Sequence, residues 1–159
     1  MQKPNKLNLG CGNSPKPGYI NVDIQADLNP DMIMDIRYLK DVTDNSIQEI
    51  NADHVIEHFP YAQTYSILTL WYSKLEPGGT LKMSFPDLQT ICKDIANGKN
   101  VEDRIRDIYG GQDHPWNYHC AGFTPLIITK ILKSIGFKNI VCEAKLVSKY
   151  PNLMIEAIK

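Results

Sequence analysis

The chain has little cysteine, and none of it falls into a pattern. Cys11, Cys92, Cys120 and Cys142 are widely spaced, with no Cys-x-x-Cys pair and no Cys/His zinc spacing. Free thiols in a reducing cytoplasm are the expectation, and no metal is expected. No apolar run approaches the ~20 residues that cross a bilayer. The opening MQKPNKLNLG has no apolar core of a signal peptide, so a cytoplasmic protein without membrane contact is expected. Lys/Arg-rich runs are missing too. With 17 basic and 18 acidic residues the net charge is −1, and nothing favours nucleic acid as a partner through bulk charge. Repeats, low-complexity tracts and Pro/Gly/Ser linkers are also absent. The 159 residues, 43% of them hydrophobic, are therefore expected to form one domain over 1–159.

What is present centres on Lys6 to Ile24, KLNLGCGNSPKPGYINVDI. A short strand runs into the turn Gly10-Cys11-Gly12-Asn13, and a second strand carries Asp23 near its end. Two glycines one residue apart let the backbone turn sharply and approach a ligand. An acid at a neighbouring strand end can accept from both hydroxyls of a ribose. The third glycine of the dinucleotide fingerprint is missing. Pro15 and Pro17 prevent a regular helix that would receive a pyrophosphate. The pairing suits a nucleoside without phosphates, and S-adenosylmethionine (SAM) fits.

The Leu-Gly-Cys-Gly turn followed by Asn-Val-Asp resembles the start of a class I SAM-dependent methyltransferase. Three later stretches resemble that superfamily in its own order. They are Met34-Asp35-Ile36 through Asn45-Ser46-Ile47, then Ala52-Asp53-His54-Val55-Ile56-Glu57-His58-Phe59, then Leu75-Glu76-Pro77-Gly78-Gly79-Thr80-Leu81. The compact form resembles small methyltransferases associated with polysaccharide biosynthesis. The resemblance implies an α/β fold, a three-layer Rossmann-like sandwich. Its sheet has seven mostly parallel strands in the order 3-2-1-4-5-7-6, with an antiparallel last strand and reduced helices after strands one and two. It places Gly10, Cys11, Gly12 and Asn13 in the cofactor turn, with Cys11 as a small filler. Asp23 and Ile24 fall at the ribose, Asp35 and Ile36 at the adenine, and His54 where the methyl group is presented.

Strands are expected at Lys6–Leu9, Tyr19–Val22, Met32–Ile36, Ile47–Ala52 and Thr80–Phe85, and a closing antiparallel pair at Lys138–Glu143 and Leu153–Ile158. Tyr61, Tyr65, Leu68, Tyr72 and Leu75 recur at three and four, which predicts a helix over Tyr61–Leu75 with that face buried. Pro60 suits its first turn and Pro77-Gly78-Gly79 its end. Asp87 can cap a helix over Leu88–Ala96, Val101–Tyr109 reads as another, and Thr124 can cap one running to Ser134.

Gly110–Phe123 has no periodicity and reads as a loop. It gathers His114, Trp116, Tyr118 and His119, which makes it the expected acceptor-binding segment. A small molecule or a saccharide is the expected acceptor, the saccharide through the resemblance alone. His119 is the first candidate general base and His54 the second. Glu57 and His58 begin the next helix, and a first-turn acid with an orienting hydrogen bond is at least as good a reading of them as a part in the chemistry. The Asn/Asp-Pro-Pro-Tyr motif of amino-methylating nucleic-acid enzymes is absent. The abbreviated Asn13–Gly18 leaves the methionine end to be shielded by a neighbouring loop or by a second subunit of a homo-oligomer. Two other readings compete with a methyltransferase. One is a catalytically silent module binding SAM, a nucleoside or a protein; the other is a nicotinamide-dependent oxidoreductase.

Overall fold

The computed structural model describes residues 5–159. Of the expected amino-terminal tail, residues 1–4 lie outside the described residues. Among the described residues, seven strands form one sheet in the order β3-β2-β1-β4-β5-β7-β6. They are β1 (Lys6–Leu9), β2 (Ile20–Asp23), β3 (Met32–Ile33), β4 (Ile47–Asp53), β5 (Leu75–Pro86), β6 (Lys138–Val147) and β7 (Tyr150–Ile158). The pairings among β1 to β5 are parallel, and β7 runs antiparallel to β5 and β6. This is the sheet that the resemblance implies. The helices are α1 (Tyr61–Lys74), α2 (Leu88–Ala96), α3 (Val101–Tyr109) and α4 (Pro125–Ile135).

Side chains alternate between the faces of a strand, and register fixes which residues share a face. Leu7, Leu9, Val22, Ile50, Ala52, Leu81, Met83, Phe85, Leu153, Ile155 and Ala157 lie on one side and join the core with Ile67, Leu68 and Trp71 of α1 and Ile128 and Leu132 of α4. The opposite side carries Asn8, Asn21, Glu49, Asn51, Asp53, Lys82, Ser84 and Glu156. Parallel sheets are usually covered on both faces and read as continuous apolar runs. Here the parallel strands alternate instead, as in Leu7-Asn8-Leu9 and Ile50-Asn51-Ala52.

The reason lies in the crossovers. No α-helix follows β1, and a single 3-10 turn, Ala26–Leu28, follows β2. On this side the Asn13–Tyr19 loop stands where a helical layer would be, and it is held by polar contacts. Asn51 donates to Asn8 at 2.9 Å, and Asn8 donates to Asn21 at 2.9 Å and to the Ser14 carbonyl at 3.2 Å. Asn21 accepts from the Lys16 backbone at 2.7 Å and donates to Asp31 at 2.9 Å. Lys16 reaches Asp53 at 2.7 Å, and Tyr19 donates to Glu49. The asparagines are nearly fully buried yet hydrogen-bonded, which is what burial of amides requires.

Several boundaries differ from expectation. Strand β3 is only two residues, because the chain turns at Asp35, whose backbone carbonyl accepts from Tyr38. Strand β5 begins at Leu75, directly after α1, and the segment Glu76–Gly79 bulges between Leu75, paired with Ile47, and Thr80, paired with Glu49. The face that α1 buries is Thr64, Ile67, Leu68 and Trp71, with Tyr61 and Tyr65 both half exposed. The Trp71 indole donates to the Ile36 carbonyl at 3.0 Å and ties α1 to the segment after β3. Caps fall where expected: Asp87 accepts from the Gln89 backbone and Thr124 from that of Ile127.

Candidate active site

The carboxyl ends of β1, β2, β3 and β4 surround a cleft of about 380 Å³. Open α/β sheets bind ligands at this edge, where the strand order reverses. Gly10 and Gly12 form its floor. Gly10 has φ +60°, and a Cβ there would lie 2.8 Å from Val55 Cγ2. Gly12 has φ +49° with open space beside it. Asp23, at the end of β2, is buried; its Oδ2 accepts from the Gly12 N–H and its Oδ1 from the Gln25 N–H, both at 2.9 Å. The carboxylate thus braces the glycine turn and retains lone pairs toward the cleft. Ile24, Met34, Ile36 and Phe59 supply apolar wall.

Asp35 lines the cleft paired with Arg37, two residues on. Arg37 Nε lies 3.0 Å from each carboxylate oxygen and Nη2 lies 2.6 Å from Oδ2. That bidentate pairing holds the Asp35 carboxyl below the usual carboxylate range. The same guanidinium lies 5.7 Å from the Phe59 ring centre.

His54 follows β4 immediately and has φ +53°, an uncommon conformation for a side chain with a Cβ. Its backbone N–H donates to Ser84 at 2.8 Å, which fixes that turn to β5. Its Nδ1 lies 3.1 Å from Glu57 Oε1. Glu57 is 1% exposed, and this hydrogen bond raises the His54 pKa. Burial lowers that of His58, whose Nδ1 donates to the Tyr118 carbonyl at 3.1 Å.

The loop after α3 closes the cleft's outer side with His114, Pro115, Trp116, Asn117 and Tyr118. The loop folds back on itself around Asn117, whose carbonyl accepts from Gln112 and whose N–H donates to His114. A Cβ at Gly110 would lie 2.6 Å from that carbonyl.

Of the residues singled out in the sequence, Gly10, Gly12, Asp23, Ile24, Asp35, Ile36, His54, His114, Trp116 and Tyr118 line this one cleft. Cys11, Asn13 and His119 do not. Cys11 is buried in the turn, and burial pushes its thiol pKa up, so it is not primed as a nucleophile. Asn13 is exposed in the following loop. His119 faces two neighbouring hollows, its Nδ1 donating to the Asp107 carbonyl at 2.9 Å. Among the described residues, no helix is long and apolar enough to cross a membrane.

No family model matches the chain, and no curated protein matches it. Solved structures do. A SAM-dependent methyltransferase from Archaeoglobus fulgidus superposes with a TM-score of 0.69 at 17% identity, over 97% of this chain and 85% of that one. One from Methanosarcina mazei gives 0.68 at 13%, over 100% and 94%. The Haemonchus contortus phosphoethanolamine N-methyltransferase 2, solved with SAM, gives 0.64 at 12%; the chain spans 97% of itself and 48% of that enzyme. The fold of this chain is that of the class I SAM-dependent methyltransferases.

Proposed function

We propose that the chain binds SAM in the cleft and transfers its methyl group to a small-molecule acceptor. One observation carries this reading. A glycine turn, a ribose-type acid, a second acid beside an apolar wall and a histidine, from successive strand ends, converge on one cavity of ordinary ligand size. Asp23 accepts from the ribose hydroxyls, and Ile24, Met34 and Phe59 flank the adenine.

The sulfonium is already an activated leaving group, so the protein has to align the acceptor and, for a hydroxyl, take its proton. His54 suits that step better than His119. It lines the cleft and is oriented through Nδ1 by the buried Glu57, which leaves Nε2 as the proton acceptor. The half-exposed rings of Trp116 and Tyr118 offer stacking surfaces for a sugar, which supports a saccharide acceptor.

Calorimetry with SAM, with its demethylated product and with NAD tests the cofactor. Binding of NAD in preference to SAM would sink the reading. Methyl release with candidate acceptors separates an enzyme from a silent module. His54→Gln should leave SAM affinity within a few-fold and cut turnover by ~10²–10⁴.

A further inference from the structure

The spacing of histidines in the sequence holds no metal motif, yet the fold assembles a ligand set. Among the described residues, Glu57, His58 and His119 each place one donor atom within 4.8 Å of the other two. Glu57 and His58 come from the 3-10 turn Ile56–His58 after β4, and His119 from the loop after α3. The two segments are clamped together. The Glu57 carbonyl accepts from the Cys120 N–H at 2.7 Å and from the Ala121 N–H at 3.0 Å. The His58 and His119 rings meet edge to face with centres 4.9 Å apart.

Both imidazoles are prepared as ligands. Nδ1 of His58 lies 3.1 Å from the Tyr118 carbonyl, and Nδ1 of His119 lies 2.9 Å from the Asp107 carbonyl. A carbonyl only accepts, so each Nδ1 carries a proton, and in the neutral ring the lone pair is then on Nε2. A ring N–H on a backbone carbonyl is the usual outer support of a metal-bound histidine. The carboxylate is divided in the same way. Glu57 Oε1 is held by His54, while Oε2 is buried and has no hydrogen-bond partner among the described residues. A buried carboxylate oxygen without a donor is costly, and a cation removes that cost.

We propose that Glu57, His58 and His119 bind one divalent first-row transition ion, with Zn²⁺ as the natural probe. Two neutral imidazoles and one carboxylate suit Zn²⁺, Fe²⁺ or Co²⁺ better than the all-oxygen shells of Mg²⁺ or Ca²⁺. Three protein ligands leave a fourth position open, the arrangement of reactive rather than structural zinc. His58 lines the cleft, while Glu57 and His119 line the adjoining hollow of about 210 Å³, so the ion sits in the wall between them. An oxygen of the acceptor bound at the open position is polarised and loses its proton more readily. This last role rests on the methyltransferase reading, whereas metal binding does not.

The test uses the whole chain, stripped with a chelator. Zn²⁺ is titrated calorimetrically, Co²⁺ by its visible absorption, and SAM in a separate titration, so that failure of either site is seen alone. One ion per chain is expected, with an imidazole- and carboxylate-type cobalt spectrum. Glu57→Gln and His119→Gln should each weaken Zn²⁺ by at least ~100-fold. Each should also abolish the rise in melting temperature that Zn²⁺ gives the parent. Melting without metal shows whether the variants fold, and Glu57→Gln, which keeps the side-chain volume, serves if His119→Gln does not. Cys92→Ser, at an exposed thiol, should bind as the parent does. No binding by the parent, binding by both variants as tight as the parent's, or an intense thiolate-to-cobalt band would each overturn the proposal.

Discussion

Asn51 hands a side-chain hydrogen bond to Asn8 across β4 and β1, at 2.9 Å, beneath a loop rather than a helix. Both amides are almost wholly buried. Asn51→Ala strands the Asn8 carbonyl oxygen and should cost about 1–3 kcal/mol in urea unfolding. Asn8→Ala in the same background should then cost less than it does alone, because the partners fail together. Additive losses would show that the pair is not coupled.

Asp23 both braces the glycine turn and faces the cleft. Asp23→Ala should weaken SAM by about 2–4 kcal/mol, from roughly 1–2 per charge-assisted bond. An unchanged dissociation constant would remove Asp23 from the site.

Gly10 is required twice over, by its φ of +60° and by Val55. Gly10→Ala should destabilise by more than the ~1–2 kcal/mol of the left-handed conformation alone. Adding Val55→Ala relieves the contact but not the backbone. If the double variant melts no higher than expected from the two losses summed, the contact is not what excludes a side chain.

Tyr19 donates its phenol to Glu49, and that hydrogen bond, helped by burial, pushes its pKa up to about 12. The protonated phenol is the bonding form, and the unfolded chain titrates near 10. The stability that Tyr19 contributes is therefore complete below pH ~10 and lost as pH rises toward 12. The stability gap between the parent and Tyr19→Phe should be flat at neutral pH and close across that window. A gap that stays constant there would refute the assignment.

Much of this was legible because the signals were local. The glycine turn, the acids at the end of β2 and after β3, and the caps Asp87 and Thr124 are each read from a few neighbouring residues. The buried face of α1 was not. Tyr61 and Tyr65 count as apolar in a periodicity, yet each leaves half its surface in water, and Thr64 and Ile67 go inside instead. The Arg37 pairing is not legible, because nothing in Asp35-Ile36-Arg37 says that the chain turns tightly enough for the two charged ends to meet. The side that His119 faces is set by the Asp107 carbonyl, and the orientation of His58 by the Tyr118 carbonyl, contacts that no local pattern announces. The ligand set of Glu57, His58 and His119 joins two turns distant in sequence, so no spacing reveals it. The sequence does carry a signal for the polar side of the sheet: KLNL, INVD and TLKMS alternate, a two-residue period that parallel strands covered on both sides do not show.

The polar side of the sheet also bears on temperature. Exposing hydrocarbon raises the heat capacity of unfolding and exposing amides lowers it. A sheet that buries Asn8, Asn21 and Asn51 where helices would bury leucine should unfold with less than the usual ~12–15 cal/mol/K per residue. Its free energy then changes more gently on heating and on cooling, and the chain keeps a broad thermal range around a modest maximum. Calorimetric unfolding measures that curvature directly.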